Sequence, residues 1–139
     1  MGPSDENDAC VFCGLDPKNV IAENGLSFAV RDLRPATAFH TLVLPKRHVE
    51  SFFDLTEDET TAIDRLIRSQ RQEILARDPS VEGFNIGVNV GAVAGQTIFH
   101  CHYHLIPRRK GDVPDPRGGV RWVIPSRVYL EASGRENGA

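Results

Sequence analysis

The segment "FHCHYHLIP", residues 99–107, decides how this sequence is interpreted. It holds three of the chain's five histidines, His100, His102 and His104, at alternate positions. Aromatic and β-branched residues predict a strand over the longer stretch "TIFHCHYHLIP", residues 97–107. Because successive side chains of a strand point to opposite faces, we expect the three imidazoles to share one face, about 7 Å apart in succession.

Imidazoles at this spacing are typical of two kinds of site. Three of them can hold a catalytic zinc ion that keeps an open position for water. Alternatively, one imidazole acts as a nucleophile, while a neighbouring acceptor binds its other N–H and orients the ring. Cys101 falls on the opposite face of the predicted strand, so we expect it to pack and not to attack a substrate.

The segment "CVFC" places Cys10 and Cys13 at the spacing of a zinc knuckle. Two further ligands are then needed, and these are typically imidazoles. His48, in "PKRH", is one candidate, and one histidine of the 99–107 segment could be the other. Such a site would be closed and structural. A redox dithiol or two buried cysteines are alternatives, but the surroundings are polar and do not resemble thioredoxin.

The most regular pattern predicts a helix that begins after Thr56. Thr56 and Glu59 form a capping box, and Pro79 ends the helix. Apolar residues recur at helical spacing with charged residues opposite them, so one face is expected to join the core. That face comprises Ile63, Leu66, Ile67, Gln70, Ile74 and Leu75.

Four other segments predict strands. Asn24-Gly25 is a hairpin signal between two short apolar runs, and "TLVLP", residues 41–45, is apolar enough to be buried on both faces. "GFNIGVNVG", residues 83–91, alternates, and "VRWVIP", residues 120–125, is a further strand candidate. Together with the helix, these predict one α+β domain over residues 9–130 with an antiparallel sheet; residues 1–8 and 131–139 are expected to be flexible tails.

Composition narrows the classes of protein that are expected. The chain has 139 residues and a formal charge of −3, which offers no basic face for a nucleic-acid partner. The sequence has no apolar run of membrane-spanning length, and its start is unlike a signal peptide. Three cysteines argue against a disulfide framework and favour a cytoplasmic address. Lys46 and Arg47 are expected to be a solvated surface pair.

Three separate segments resemble the histidine-triad (HIT) family. "GQTIFHCHYHLIPR" is similar to its signature, in which three histidines alternate with apolar residues after a glutamine. "PATAFHTLVLPKRHV" and "GFNIGVNVG" resemble two other segments of the family, so that the likeness covers residues 10–112 in order. The resemblance implies an antiparallel sheet of about five strands with one main helix packed on it.

The resemblance also implies an activity. Family members are nucleotide hydrolases or nucleotidyl transferases that act at the α-phosphate of nucleoside phosphoramidates or dinucleoside polyphosphates. The position of His102 implies the nucleophile of a covalent nucleotidyl-histidine, and that of His104 a place beside the phosphate and the leaving group. The family's zinc-containing branch implies a structural zinc ion held by Cys10, Cys13, His48 and His100.

Further positions match the family's substrate site. The match implies that Gln96 and Asn89 hold the phosphate, that Thr97 bonds the phosphoryl group or leaving atom, and that Asp32 accepts the ribose hydroxyls. His40 has a supporting role. A nucleotide substrate and a homodimer are implied, with neither nucleic acid nor membrane as a partner. Two alternatives stay open: a zinc-dependent hydrolase with a three-histidine site, and a non-catalytic nucleotide-binding protein.

Overall fold

The computed structural model describes residues 10–125, which form five strands and one α-helix. The two predicted tails and the end of the predicted domain lie outside the described residues. The predicted α+β class is confirmed. In chain order the elements are β1 (Val20–Glu23), β2 (Ser27–Arg31), β3 (Thr41–Pro45), α1 (Glu57–Arg77), β4 (Val81–Val88) and β5 (Tyr103–Arg109).

The strands form one antiparallel sheet in the order β1-β2-β3-β5-β4. Helix α1 packs on β2, β3 and β5. The central strand β3 is buried at all five positions, which confirms the prediction made from "TLVLP". Strand β5 lies between β3 and β4, and Leu42 of β3 is the register partner of His104. The last histidine of the triad is therefore held by a strand on each side.

The predicted hairpin and helix are both present. Asn24 closes the β1–β2 turn: its Oδ1 accepts from the backbone N–H of Ser27 at 3.0 Å, and its Nδ2 donates to Ala62 O of α1 at 2.9 Å. At the start of α1, Thr56 Oγ1 accepts from Glu59 N at 3.1 Å, and the Glu59 carboxylate accepts from Thr56 N at 2.9 Å. The buried face of α1 includes Ile63, Leu66, Gln70 and Ile74.

Arg47 lies at the surface, as expected, with 54% of its side chain exposed, but it also makes specific contacts. Its guanidinium donates to both carboxylate oxygens of Glu59, at 2.8 and 3.0 Å, and to Asp54 O at 3.2 Å. The Glu59 side chain is 5% exposed, so a buried carboxylate joins the "PKRH" turn to the start of α1. Hydrogen bonding from Arg47 lowers the pKa of Glu59 to about 2.

Replacing Glu59 with glutamine is expected to lower the free energy of unfolding by about 2 kcal/mol at pH 7, because both the cap and the charged hydrogen bonds are weakened. Urea denaturation measures this, with the exposed first-turn variant Glu57→Gln as the matched control. The difference between wild type and Glu59→Gln should shrink as pH falls from 4.5 towards 2. Equal midpoints for the two variants would contradict the assignment.

Two strand predictions are wrong in detail. Strand β5 begins at Tyr103 and not at Thr97, so His100 and His102 precede it. Here the His100 Nε2–H donates to Pro45 O, and the backbone N–H of Cys101 donates to Val49 O at 2.6 Å and not to a neighbouring strand. The segment "VRWVIP" does not form a strand. Gly118 and Gly119 have positive φ values of 95° and 49°, and a 3-10 helix follows over Gly119–Val123.

Candidate active site

Cys10, Cys13, His48 and His100 converge on one point, from three separate parts of the chain. His100 Nδ1 lies 3.5 Å from both sulfur atoms, and His48 Nδ1 lies 3.3 Å from Cys13 Sγ. All four donor atoms lie within 4.8 Å of one another. The four residues that the family resemblance implied as zinc ligands therefore form a single cluster in the fold.

The donor set fits a tetrahedral zinc ion. With ordinary zinc–sulfur and zinc–nitrogen bonds, ligand atoms sit about 3.6 Å apart, which is close to the observed separations. His100 is fully buried, and its Nε2–H donates to Pro45 O at 2.8 Å, so its Nδ1 carries the free lone pair that faces the sulfurs. When bound, zinc would fix the N-terminal knuckle to the triad segment.

His102 is oriented by the backbone of that same ligand. Its Nδ1–H donates to His100 O at 2.8 Å, which leaves the lone pair on Nε2. The ring of Phe12, between the two cysteines, lies edge-on to the His102 ring with centroids 5.0 Å apart, and the His104 ring lies on a further side at 5.1 Å. The Nε2 lone pair is what a histidine nucleophile requires.

His104 takes the opposite tautomer because of His40. The backbone N–H of Ala36 donates to His40 Nδ1 at 2.9 Å, so the His40 proton lies on Nε2. That Nε2–H donates to His104 Nδ1 at 2.9 Å, and the proton of neutral His104 is therefore on its own Nε2. His40 Nε2 also lies 3.5 Å from Asp32 Oδ2. Two neighbouring imidazoles thus offer opposite functions at Nε2, a lone pair on His102 and a donor on His104.

Asp32, His40 and His104 also place their donor atoms within 4.8 Å of one another. The tautomers argue against a metal ion there. If His40 Nε2 bound a metal, its proton would have to move to Nδ1, where it would face the N–H of Ala36. This cluster is therefore better described as a hydrogen-bonded relay.

The three triad histidines do not share one metal position. Within residues 10–125, the two groups of donors that could hold an ion contain His100 and His104 separately, and neither contains His102. This arrangement does not support the three-histidine zinc hydrolase. His100, His102 and His104 therefore have different surroundings, although their alternating positions in the sequence are equivalent.

Gln96 is almost fully buried and shapes the loop before the triad. Its Oε1 accepts from Gly91 N at 2.9 Å, and its Nε2 donates to Glu50 O and Ile98 O at 2.9 and 3.2 Å. Its amide is thus occupied by the protein's own backbone, where a phosphate contact was predicted. Thr97 is exposed on the same loop.

Asn89 is half-buried at the start of this loop, and its Nδ2 would lie 3.8 Å from a β-carbon at Gly95. Gly95 has φ of 96°, a conformation that side chains disfavour. A close backbone turn therefore brings Asn89 next to the residues that precede the triad.

Phe12 was not predicted to be part of the site, although its position between the two cysteines was a usable signal. Cys101 is 1% exposed, and burial raises its thiol pKa to about 11, which agrees with the predicted packing role.

Burial keeps the relay neutral. It lowers the pKa of His104 to about 4, with a further decrease from the neighbouring imidazoles of His102 and His40; Asp32 opposes this decrease. Burial also lowers the pKa of His40, again against the pull of Asp32. At neutral pH both rings therefore keep the single proton that the hydrogen bonds assign to them.

Lowering the pH from 6.5 to 4 is expected to destabilise the native protein through His104. In that range the unfolded chain takes up a proton at this position and the folded chain does not. The free energy of unfolding therefore decreases as the pH is lowered. Above 6.5 the contribution is constant. Urea midpoints of wild type and His104→Asn across this range measure it, and a slope unchanged by the substitution would contradict the assignment.

Comparison with known proteins finds the HIT domain over residues 14–111. An uncharacterised HIT-like protein of Mycobacterium tuberculosis is 42% identical over 132 residues, which are 91% of this chain and 88% of that protein. The crystal structure of a HIT family protein from Bacillus anthracis matches with a TM-score of 0.72 and 32% identity, over 95% of this chain and 86% of the other.

One relative has a named activity. The bifunctional bis(5′-adenosyl)-triphosphatase/adenylylsulfatase FHIT of Arabidopsis thaliana is 37% identical over 99 residues, which are 70% of this chain and 54% of that protein.

No α-helix within residues 10–125 has the length and apolar character needed to cross a membrane.

Proposed function

Because this chain belongs to the HIT domain family, we propose that it is a nucleotide hydrolase or nucleotidyl transferase that acts at an α-phosphate. Its substrate class is a nucleoside phosphoramidate or a dinucleoside polyphosphate. The observation that carries the proposal is the pair of opposite tautomers. His102 has a lone pair on Nε2 and His104 has a proton on Nε2, and the two rings are adjacent, with centroids 5.1 Å apart.

In the proposed reaction, His102 Nε2 attacks the α-phosphorus and a phosphorus–nitrogen bond forms. The bond from phosphorus to the leaving group breaks, the Nε2–H of neutral His104 stabilises the leaving atom by a hydrogen bond, and the leaving atom takes its proton from water. His100 O stabilises the charged nucleotidyl-imidazole through the Nδ1–H of His102. Water or another acceptor then attacks phosphorus, the phosphorus–nitrogen bond to His102 breaks, and the attacking group gives its proton to solvent as the nucleotide is released.

The other predicted residues have supporting roles in this proposal. Asp32, which is half-buried beside His40, would accept the ribose hydroxyls. Thr97 and Asn89 would donate to phosphate oxygens, as charge on the equatorial oxygens requires. Gln96 would act by holding their loop in place. His40 would keep the His104 proton on the outer nitrogen.

A structural zinc ion on Cys10, Cys13, His48 and His100 is part of the proposal. The donor distances and the lone pair on His100 Nδ1 support it. Zinc would hold the carbonyl of His100 where it orients His102, while taking no part in the chemical step.

A homodimer is also proposed. Strand β4 is at an edge of the sheet, with Ile86 half-exposed, and a cavity of about 320 Å³ between α1 and the sheet is lined by Ile63, Ile67, Ile86, Tyr103 and Leu105 among others. A second copy could extend the sheet and cover this apolar surface. Analytical ultracentrifugation is expected to give twice the chain mass of 15.4 kDa, and Ile86→Lys to reduce it. A monomeric wild type would contradict this expectation.

The proposed activity is tested by AMP release from adenosine 5′-phosphoramidate, and then from diadenosine tetraphosphate. Mass spectrometry of acid-free quenched samples should detect a transient nucleotidyl adduct on the triad peptide. If both substrates bind and neither is turned over, the non-catalytic nucleotide-binding alternative replaces the enzyme.

We also propose a cytoplasmic address, since the proposed site uses free thiols.

A further inference from the structure

The residue before His40 has an unusual backbone conformation. Phe39 has φ of 70°, and within residues 10–125 it is the one non-glycine residue with positive φ. Bulky side chains disfavour this left-handed region, so neighbouring contacts must hold it. The Phe39 ring packs against the core cluster of Ile74, Val81 and Leu105, which ties the unfavourable backbone to the interior.

Arg31 holds this turn from the other side. Its guanidinium carbon lies 5.3 Å from the centroid of the Phe39 ring, and its Nη1 donates to Thr41 Oγ1 at 2.6 Å. Thr41 Oγ1 in turn donates to Phe39 O at 2.7 Å. The residues on both sides of His40 are therefore fixed by one side chain.

Helix α1 anchors that side chain. Arg31 Nη1 also donates to Oε1 of Gln70, which is 1% exposed and is a polar residue on the buried face of the helix. Leaving a buried amide oxygen without its donor is costly, so this contact holds the Arg31 guanidinium in place. The contacts run from Gln70 through Arg31 to the Phe39–Thr41 turn.

We propose that Arg31, anchored on Gln70, is a positioning residue that sets the His40 imidazole and, through it, the tautomer of His104. The proposed catalytic role of His104 is its premise. Movement of the turn would lengthen the 2.9 Å hydrogen bond from His40 to His104. The His104 proton could then occupy Nδ1, which would remove the donor from the side of the leaving group.

Turnover of a nucleotide substrate by Arg31→Met provides the first test. We expect kcat to fall about 10- to 100-fold, the range for a catalytic group displaced by up to an ångström, with a smaller change in KM. Arg31→Lys keeps one donor and should recover part of the rate. Arg65→Met, on the exposed face of α1, is the matched control and should retain wild-type turnover.

A second pair of variants separates positioning from packing. Phe39→Leu and Phe84→Leu each replace an aromatic residue that packs on the same core cluster, and only Phe39 is next to His40 in the chain. Similar losses of thermal stability are expected, whereas kcat should fall only in Phe39→Leu. Parallel losses of activity in the two variants would overturn the proposal.

Long-range proton–nitrogen spectra of protein labelled with ¹⁵N-histidine read the tautomers directly. Wild type should show His40 and His104 both protonated at Nε2, and Arg31→Met should show a mixture for His104. The spectra test the positioning role even if no substrate is turned over. Absence of turnover would contradict only the proposed function. Unchanged histidine tautomers together with unchanged kcat in folded Arg31→Met would overturn the positioning role.

Discussion

Replacing His102 with alanine is expected to abolish AMP release while the protein stays folded and keeps its metal. Loss of a covalent nucleophile typically costs about 10³-fold or more in kcat, since no neighbouring group can form the same intermediate. The His102 side chain contributes no donor atom to the cluster of Cys10, Cys13, His48 and His100. Steady-state kinetics, with zinc counted by atomic absorption in the same samples, measures both effects.

The informative comparison is His102→Ala against His104→Ala. The first variant should form no nucleotidyl adduct, whereas the second should form it slowly, and fastest with leaving groups that need no hydrogen-bond donor. Loss of zinc from His102→Ala would argue for a catalytic metal, in spite of the separated donor clusters. Turnover within about tenfold of wild type would refute His102 as the nucleophile.

Removing a ligand of the proposed zinc site should have the second largest effect. Cys13→Ser is expected to lose zinc and to unfold at least about 10 °C lower, which for a chain of this size is about 3 kcal/mol. Structural zinc contributes about 10 kcal/mol or more in small peptides, so this is a conservative figure. The reason is geometric: the cluster joins the knuckle, the "PKRH" turn and the triad segment.

Cys101→Ala is the matched control for that variant. Cys101 is 1% exposed, lies next to the proposed ligand His100 in the chain and contributes no donor atom to the cluster. The substitution removes a thiol and leaves all four proposed ligands in place, so its zinc content should equal that of wild type. Thermal unfolding with and without a chelator measures the metal's contribution in each protein. A chelator that left the wild-type midpoint unchanged would show that the cluster holds no stabilising ion.

Much of the fold followed from local pattern. The capping box of Thr56 and Glu59, the apolar face of α1 and the apolar run of β3 are each encoded within a few residues, so they could be predicted. Spacing indicated Cys10 and Cys13 and made His48 a candidate ligand of the proposed zinc site, whereas the choice of His100 rested on the family resemblance. The start of β5 could not be predicted, since the backbone N–H of Cys101 donates to the distant carbonyl of Val49 and not to a neighbouring strand.

The sequence by itself determined which chemical groups are present and the order in which the chain supplies them. Only the tertiary structure decided their protonation pattern. The alternation of His100, His102 and His104 suggested three equivalent imidazoles on one face, but each ring has a different partner: Pro45 O, His100 O and His40 Nε2. Because these partners are backbone carbonyls or lie far away in the chain, no local pattern could have assigned a lone pair to one ring and a donor to the next.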